Sequence, residues 1–432
     1  MTERVPAVGG VRTVPAPDPV ARDYLRLALG LDQHQPGLVE AYFGPADLKA
    51  VADMESLRAP ARLAEDAVAL RDRLPGEVRD PGRREWFRAQ LVALEAHARI
   101  LGGETIPYEI LVEHCFDQAM PRIDDARFET AAAELDALLP GDAPLVDRLT
   151  AWDTPLTIDE ERVPSVAHHL ASIFRARAAN LFGLPEGEDV LISMVRDRPW
   201  SGANWYDGGR RSRVELNLDL PVRVGDLVRL VAHETYFGHH LEAATKEARL
   251  VDGEGRAELT LLSINTPECL LHEGLAELGY EFAVPSADQG PFLAELFRVA
   301  GLPVAADPGA ARAVADTEVR VGRAREVLRG IGGNAALLRH EDRWSRQEVI
   351  DYVITVGRQT PARAEQLLDS YIEHPFWRTY IFVYREGAQL LGDWLELAAE
   401  SERVERFGRL LAEARSPSSI AAERGVAKVK AS

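Results

Sequence analysis

The sequence predicts a mainly α-helical protein with a small β element set beside one helix. Apolar residues recur three and four positions apart through most of the chain, the spacing of helices with one buried face. Turn-forming pairs punctuate those stretches, as in LPGEVRDPG and LPGDAP. A single segment, RVELNLDL, alternates apolar and polar side chains with the period of a strand.

In chain order, residues 1–18 are rich in Pro, Gly and Val without periodicity, and a mobile tail is expected there. Residues 19–415 are read as one unit, with a helical part at 19–185 and a part carrying the chemistry at 186–415. The helical segments of the first part are ARDYLRLALGL, ARLAEDAVALRDRL, REWFRAQLVALEAHARIL and ARFETAAAELDALL. A further helix, VPSVAHHLASIFRARAANLFGLP, starts near Pro164, and His168 and His169 are read as ordinary residues of it. In RVELNLDL, Val214, Leu216, Leu218 and Leu220 alternate with Arg213, Glu215, Asn217 and Asp219, and Asp207-Gly208-Gly209 forms a turn ahead of it. Pro221 ends that strand, and a helix follows with Asp226 as its expected N-cap. From about Arg346 to Arg415 the pattern is helical again, and 416–432 is expected to be a second mobile tail.

Of the 432 residues, 46% are hydrophobic, which supports a sizeable core in a folded globular protein. A net charge of −19 argues against nucleic acid and against an anionic membrane surface as partners. Basic residues are almost all Arg; the lysines are Lys49, Lys246, Lys428 and Lys430, a bias read as genome composition. Two cysteines, Cys115 and Cys269, imply no disulfide framework and a reduced, cytoplasmic setting. The N-terminal residues lack the apolar core of a signal peptide, and no apolar stretch approaches the roughly 18 residues of a membrane span. No glycine-rich phosphate loop follows a strand, so no nucleotide cofactor is expected.

Residues 231–242 read VAHETYFGHHLE, which has the residue types of a zinc helix. Zinc takes three or four N, O or S ligands in a roughly tetrahedral array, and a catalytic site leaves one position for water. The common arrangement places two histidines four residues apart, where a rise of about 6 Å and a turn of about 40° past a full rotation bring both rings to one ion. The Glu beside the first His then serves as general base. Here the residue four after His233 is Phe237, which has no ligand atom. On a straight helix His240 shares the face of His233 but lies about 10.5 Å further along, and His239 points about 120° away. A regular helix serves neither. The motif binds metal only where the helix is distorted, and Gly238, just ahead of the histidine pair, tolerates unusual backbone angles. The His-Glu pair alone carries little weight, because three of the eleven histidines, His233, His272 and His340, precede a Glu.

A third ligand has to come from elsewhere. NTPECLLHEGLAELGYEF opens with Thr266 as N-cap and Pro267 at the first helical position. Glu273 lies in its second turn, on a helix made apolar by Leu270, Leu271, Leu275 and Leu278. A carboxylate buried there is unfavourable unless it is paired or coordinates a cation. Glu277, one turn further on the same face, is placed to orient a ligand histidine.

HETYFGHHLE resembles the signature of the bacterial "domain of unknown function 885" family, usually written His-Glu-Ala-Tyr-Pro-Gly-His-His. That family is grouped with the gluzincin-like metallopeptidases, whose third zinc ligand is a Glu on a following helix. HEGLAELGYE is similar to the family's Glu-Gly-Trp-Ala block at Glu273, Gly274 and Ala276. RVELNLDL matches the position of the family's strand, and YIFVYREGAQLL resembles a helix near its C-terminus. The likeness is specific over residues 200–285 and loose elsewhere; Thr235, Phe237 and Leu275 stand where the family has Ala, Pro and Trp. The resemblance implies a large helical zincin-like, gluzincin-type fold with a small β-sheet or hairpin beside the active-site helix. It implies Zn2+ held by His233, His239 and Glu273, with Glu234 as general base, and it favours His239 over His240.

The expected function is a zinc-dependent hydrolase, a peptidase acting on a peptide or small amide substrate. Tyr384, Tyr380 and His374 are the candidate donors to the oxyanion that develops in the transition state. The polar edge of RVELNLDL offers strand pairing to an extended peptide. Arg210, Arg211 and Arg213 are candidates for a substrate carboxylate, with an exposed basic turn as the plainer explanation. The alternatives are a non-catalytic peptide-binding or scaffold protein on the same fold, and a metal hydrolase of a non-peptide bond.

Overall fold

Asp18 accepts a hydrogen bond from the Ala21 N–H and Pro19 fills the first turn, so the first helix begins at once and runs Pro19–Asp32. The computed structural model describes residues 14–431, with side chains through 425; most of the expected N-terminal tail lies outside the described residues. The chain is mainly helical. The helices predicted in the N-terminal part are present, including Pro60–Glu77, Pro81–Leu101, Asp125–Leu138 and Val163–Phe182, and residues 346–415 hold several shorter helices with breaks between them. His168 and His169 are exposed on the last of these.

The β structure is richer than the one predicted strand. β1 (Val39–Tyr42) and β5 (Leu261–Ser263) form an antiparallel pair. β2 (Asp189–Val195), β3 (Gly202–Gly208) and β4 (Arg211–Asn217) form a sheet in the order β2-β4-β3, with β2 parallel and β3 antiparallel to β4. β4 is the predicted strand, shortened. Val214 and Leu216 are buried, but Leu220 is 71% exposed and lies beyond the strand end. β4 is also central, so both of its edges are paired and it has none to offer a peptide. The turn at Gly208 and Gly209 is as expected, with φ of 75° and 65°.

Buried side chains gather in three clusters. One surrounds the three-stranded sheet, Val163–Phe182 and the helix Val224–Glu234. A second joins residues 106–139 to 321–383, and a third packs the N-terminal helices against residues 250–261. The helix Pro267–Ala283 ties the first two together: Cys269 and Leu270 face one, Leu271 and Leu275 the other. The stretch expected as a C-terminal tail is instead a helix, Pro417–Ala431. Ile420 is fully buried, Ser418 N–H donates to Asp117 at 3.0 Å, and Trp394 Nε1 donates to Glu423 at 2.7 Å. One apolar anchor and two long-range hydrogen bonds hold a segment whose polar composition suggested freedom. Among the described residues no helix is long and apolar enough to cross a membrane.

Candidate metal centre

The motif does not sit on a bulged helix; the helix is broken outright. Val224–Glu234 ends at Thr235, a turn runs through Gly238, and a new helix, His239–Lys246, begins. Thr235 Oγ1 donates back to the Val231 carbonyl at 2.5 Å, and Asn204 Nδ2 on β3 donates to the Glu234 carbonyl at 2.7 Å, so the broken end is satisfied by side chains. Gly238 is required by space: a Cβ there would lie 1.8 Å from the His233 carbonyl oxygen. Phe237, fully buried, packs edge-on against Phe174 and Phe182 and anchors the turn. The first helix is capped by Arg223 without a side-chain bond; Asp226, expected as its cap, pairs with the Arg223 guanidinium instead.

The break brings His239 back to His233, with ring centroids 4.5 Å apart. His240 turns the other way, where Ser212 Oγ at 2.9 Å and Glu188 Oε2 at 3.1 Å occupy both ring nitrogens. Glu273 rises from the next helix, which begins as predicted with a Thr266 cap and Pro267 in its first turn. Glu273 Oε2 stands 3.4 Å from His233 Nε2 and 3.6 Å from His239 Nε2. Those separations exceed good hydrogen-bond lengths. They match the edges of about 3.3–3.6 Å between ligand atoms on a tetrahedral zinc with bonds of about 2.0–2.2 Å. Glu273 Oε2 is buried and accepts no hydrogen bond, and the same holds for Glu234 Oε2 and His239 Nδ1. The residues present therefore fit a tetrahedral cation with one open position.

Why Glu273 stands there follows from a helix crossing. Gly274 meets Gly387 of the helix Val383–Leu395 so closely that a Cβ on Gly274 would lie 2.2 Å from the Gly387 carbonyl carbon. That contact draws Tyr380 and Tyr384 over the site. Tyr380, buried, donates to Glu273 Oε1 at 2.7 Å and fixes the carboxylate. Its hydroxyl is thus committed, which removes it as an oxyanion donor. Tyr384 is 38% exposed, with its ring 6.3 Å from that of His233, so it stands at the open side of the site. His374 is elsewhere in role: its Nδ1 accepts from the Phe376 and Trp377 N–H groups, both at 3.2 Å. Glu277 Oε1 faces His233 Nδ1 at 3.5 Å, on the side where an orienting acceptor was expected.

Burial and the neighbouring charges pull the groups of the centre in different directions. Burial disfavours charging His233, but Glu273, Glu234 and Glu277 more than offset it and push its pKa up to about 9. Burial, with the neighbouring His272 and His233, pushes His239 down to about 4. Burial opposes the charged form of Glu273 too, yet His239 and His233 hold it well below the usual carboxylate range. Glu234 is pushed up to about 7, first by burial.

Around this centre lies a buried ionic network that the sequence did not disclose. His272 stacks on His239 at 4.0 Å between ring centroids, and its Nδ1 bonds Glu242 Oε2 at 2.6 Å. Lys246 Nζ bonds both Glu242 Oε1 and Glu268 Oε1 at 2.7 Å. Atoms of His239, Glu242 and His272 lie within 4.8 Å of one another, but Lys246 and His272 already neutralise Glu242. The signal available was Lys246 itself, one of few lysines in an Arg-rich chain. Lys246→Met is expected to lower folding stability by about 3–5 kcal/mol, because it removes the ammonium that Glu242, which is buried, shares with Glu268; denaturant titration that shows less than about 1 kcal/mol would contradict this role.

Two of the three candidate arginines are held in ion pairs. Arg213 forms a two-point pair with Asp207, and Arg210 pairs with Asp252, so neither guanidinium is free for a substrate carboxylate. Arg211 is exposed.

No protein-family model and no curated protein matches the sequence. Among solved structures, a candidate lipoprotein from Colwellia psychrerythraea is similar over 87% of this chain and 68% of its own, at 14% identity and a TM-score of 0.50. An M32 carboxypeptidase from Deinococcus radiodurans is similar over 90% of this chain and 88% of its own, at 12% identity and a TM-score of 0.37. At 14% identity the first likeness bears on the fold alone, and the second superposes too loosely to bear on the chemistry.

Proposed function

We propose that the chain is a zinc-dependent hydrolase of peptide bonds. One observation carries this: a buried, unpartnered carboxylate oxygen of Glu273 faces His233 Nε2 and His239 Nε2 at 3.4 and 3.6 Å, the edge lengths of a tetrahedral site. His233, His239 and Glu273 are the proposed ligands. The ion supplies a Lewis acid that acidifies water and polarises a carbonyl.

The chain's own residues do the rest. Glu234 is not needed as a ligand, and its Oε2 is buried without a partner beside the two histidines. A carboxylate at that place accepts a proton from water and releases it to a leaving amine. Tyr380 holds Glu273 in place through Oε1, leaving Oε2 for the ion. Tyr384, at the open side of the site, is the proposed donor to the developing oxyanion. The substrate proposed is a peptide, and the two free, buried cysteines suit the reducing cytoplasm.

Purified protein loaded with zinc is expected to hold about one ion per chain, the number a single three-ligand site takes. Zinc at about a hundred times its Kd should add about 2.7 kcal/mol of stability, seen as a rise in Tm that a chelator reverses. Folded protein that takes up no zinc, or whose Tm ignores it, rules the metal site out.

A further inference from the structure

Arg229 and Tyr280 both offer donors that meet no acceptor. Arg229 lies on the helix Val224–Glu234, one turn before His233, and is half-buried. Asp and Glu outnumber Lys and Arg by 69 to 50 in this chain, so a guanidinium has carboxylates to choose from. Among the described residues Arg229 nevertheless makes no hydrogen bond or ion pair. Its Cζ stands 4.8 Å from the centre of the Tyr280 ring. Tyr280, on the helix Pro267–Ala283, is 3% exposed, and its hydroxyl is buried without a partner. A buried donor in that state is rare unless something beyond the chain completes it. Burial pushes the Tyr280 hydroxyl up to about 12, so it keeps its proton and remains a donor.

Both side chains line one cavity, which leaves about 20 Å³ to a water-sized particle. That volume holds one water or small ion, and no peptide or nucleotide. A Cβ at Gly322 would lie 3.3 Å from Arg229 Nη2, so the bare backbone there gives the guanidinium its place against the helix Pro308–Arg329. The other charged groups of the wall satisfy one another. Arg223 pairs with Asp226 at 2.7 Å and with Glu318 at 3.3 Å. Arg325 pairs with Asp153 at 2.8 Å, and Arg329 with Glu326 at 3.0 Å. Each carboxylate of the wall is thus engaged by another arginine, and Arg229 is the guanidinium left without a counter-charge.

We propose that this cavity binds one small monovalent anion of halide size, such as chloride, between the Arg229 guanidinium and the Tyr280 hydroxyl. One positive charge beside one neutral donor calls for a single negative charge. A water there would satisfy the hydroxyl and leave the guanidinium unpaired. The ion braces Val224–Glu234 and Pro267–Ala283, the helices that carry His233, Glu234 and Glu273, against Pro308–Arg329. The site requires neither zinc nor substrate, so it stands or falls apart from the hydrolase function.

The test follows Tm of the metal-free full chain in potassium chloride and in potassium gluconate at equal ionic strength, gluconate being too large for the cavity. Chloride is expected to raise Tm progressively with its concentration, as binding to the folded state alone requires, and gluconate is not. Arg229→Gln and Tyr280→Phe should each raise the chloride Kd about 10- to 100-fold, the range of a hydrogen bond to a charged group. Tyr280→Phe keeps the ring and its packing, so it serves even where Arg229→Gln fails to fold. In gluconate its Tm should equal or exceed that of wild type, because an unpartnered buried donor is gone; in chloride it should fall below. Broadening of the chloride nuclear resonance by the wild type, reversed by bromide, reads the ion directly. Equal Tm in the two salts, or broadening that Tyr280→Phe leaves unchanged, overturns the proposal.

Discussion

Glu234→Gln is expected to keep about one zinc per chain while hydrolysis falls about 10²- to 10⁴-fold, the range attached to a positioned general base. The substitution preserves shape, and Glu234 is 4% exposed, so the fold has little reason to change. His233, His239 and Glu273 are untouched, so metal affinity has little reason to change either. What disappears is an oxygen that accepts a proton: an amide has no comparable basicity. Metal analysis and steady-state kinetics on the same preparation separate the two effects. Zinc lost together with activity would make Glu234 a ligand and not a base. Activity within about tenfold of wild type would remove it from the mechanism.

Gly238→Ala should have the larger effect on structure. Its Cβ would lie 1.8 Å from the His233 carbonyl oxygen, far inside any tolerable contact, and that oxygen is backbone that cannot swing aside. The turn from Thr235 to Gly238 would have to open, and His239 would leave His233. Loss of stability above about 3 kcal/mol is expected, in the class of substitutions that force a backbone shift in a packed interior. Zinc binding should fall with it, because the two nitrogens facing Glu273 no longer converge. A Gly238→Ala protein with wild-type Tm and full zinc content would show that the break does not depend on this glycine.

Much of the frame was legible in the residues. Apolar spacing located the helices Pro19–Asp32, Pro60–Glu77, Pro81–Leu101 and Val163–Phe182, because a helix with one buried face must repeat every three or four positions, but it did not show Ala46–Met54. Thr266 and Pro267 announced the start of the Glu273 helix by local chemistry. The flanking strands β2 and β3 were not legible: each is defined by pairing with β4, a contact with no local trace. The free edge expected of RVELNLDL vanished for the same reason. The C-terminal helix was hidden by a polar composition that gives no weight to one buried Ile420.

For the site, the sequence by itself determined the candidate ligand types, the failure of a straight helix and the need for freedom at Gly238. Those follow from chemistry and helical geometry, which act within a few residues of the chain. Only the tertiary structure shows which of the two rings faces Glu273: Ser212 and Glu188, remote in sequence, occupy that of His240, and His239 stands 3.6 Å from Glu273 Oε2. It alone made Tyr380 the partner of Glu273, through the close Gly274–Gly387 crossing. Spacing along the chain fixes what a residue is able to bind; which atoms it meets depends on packing between segments up to hundreds of residues apart, and no local pattern encodes that.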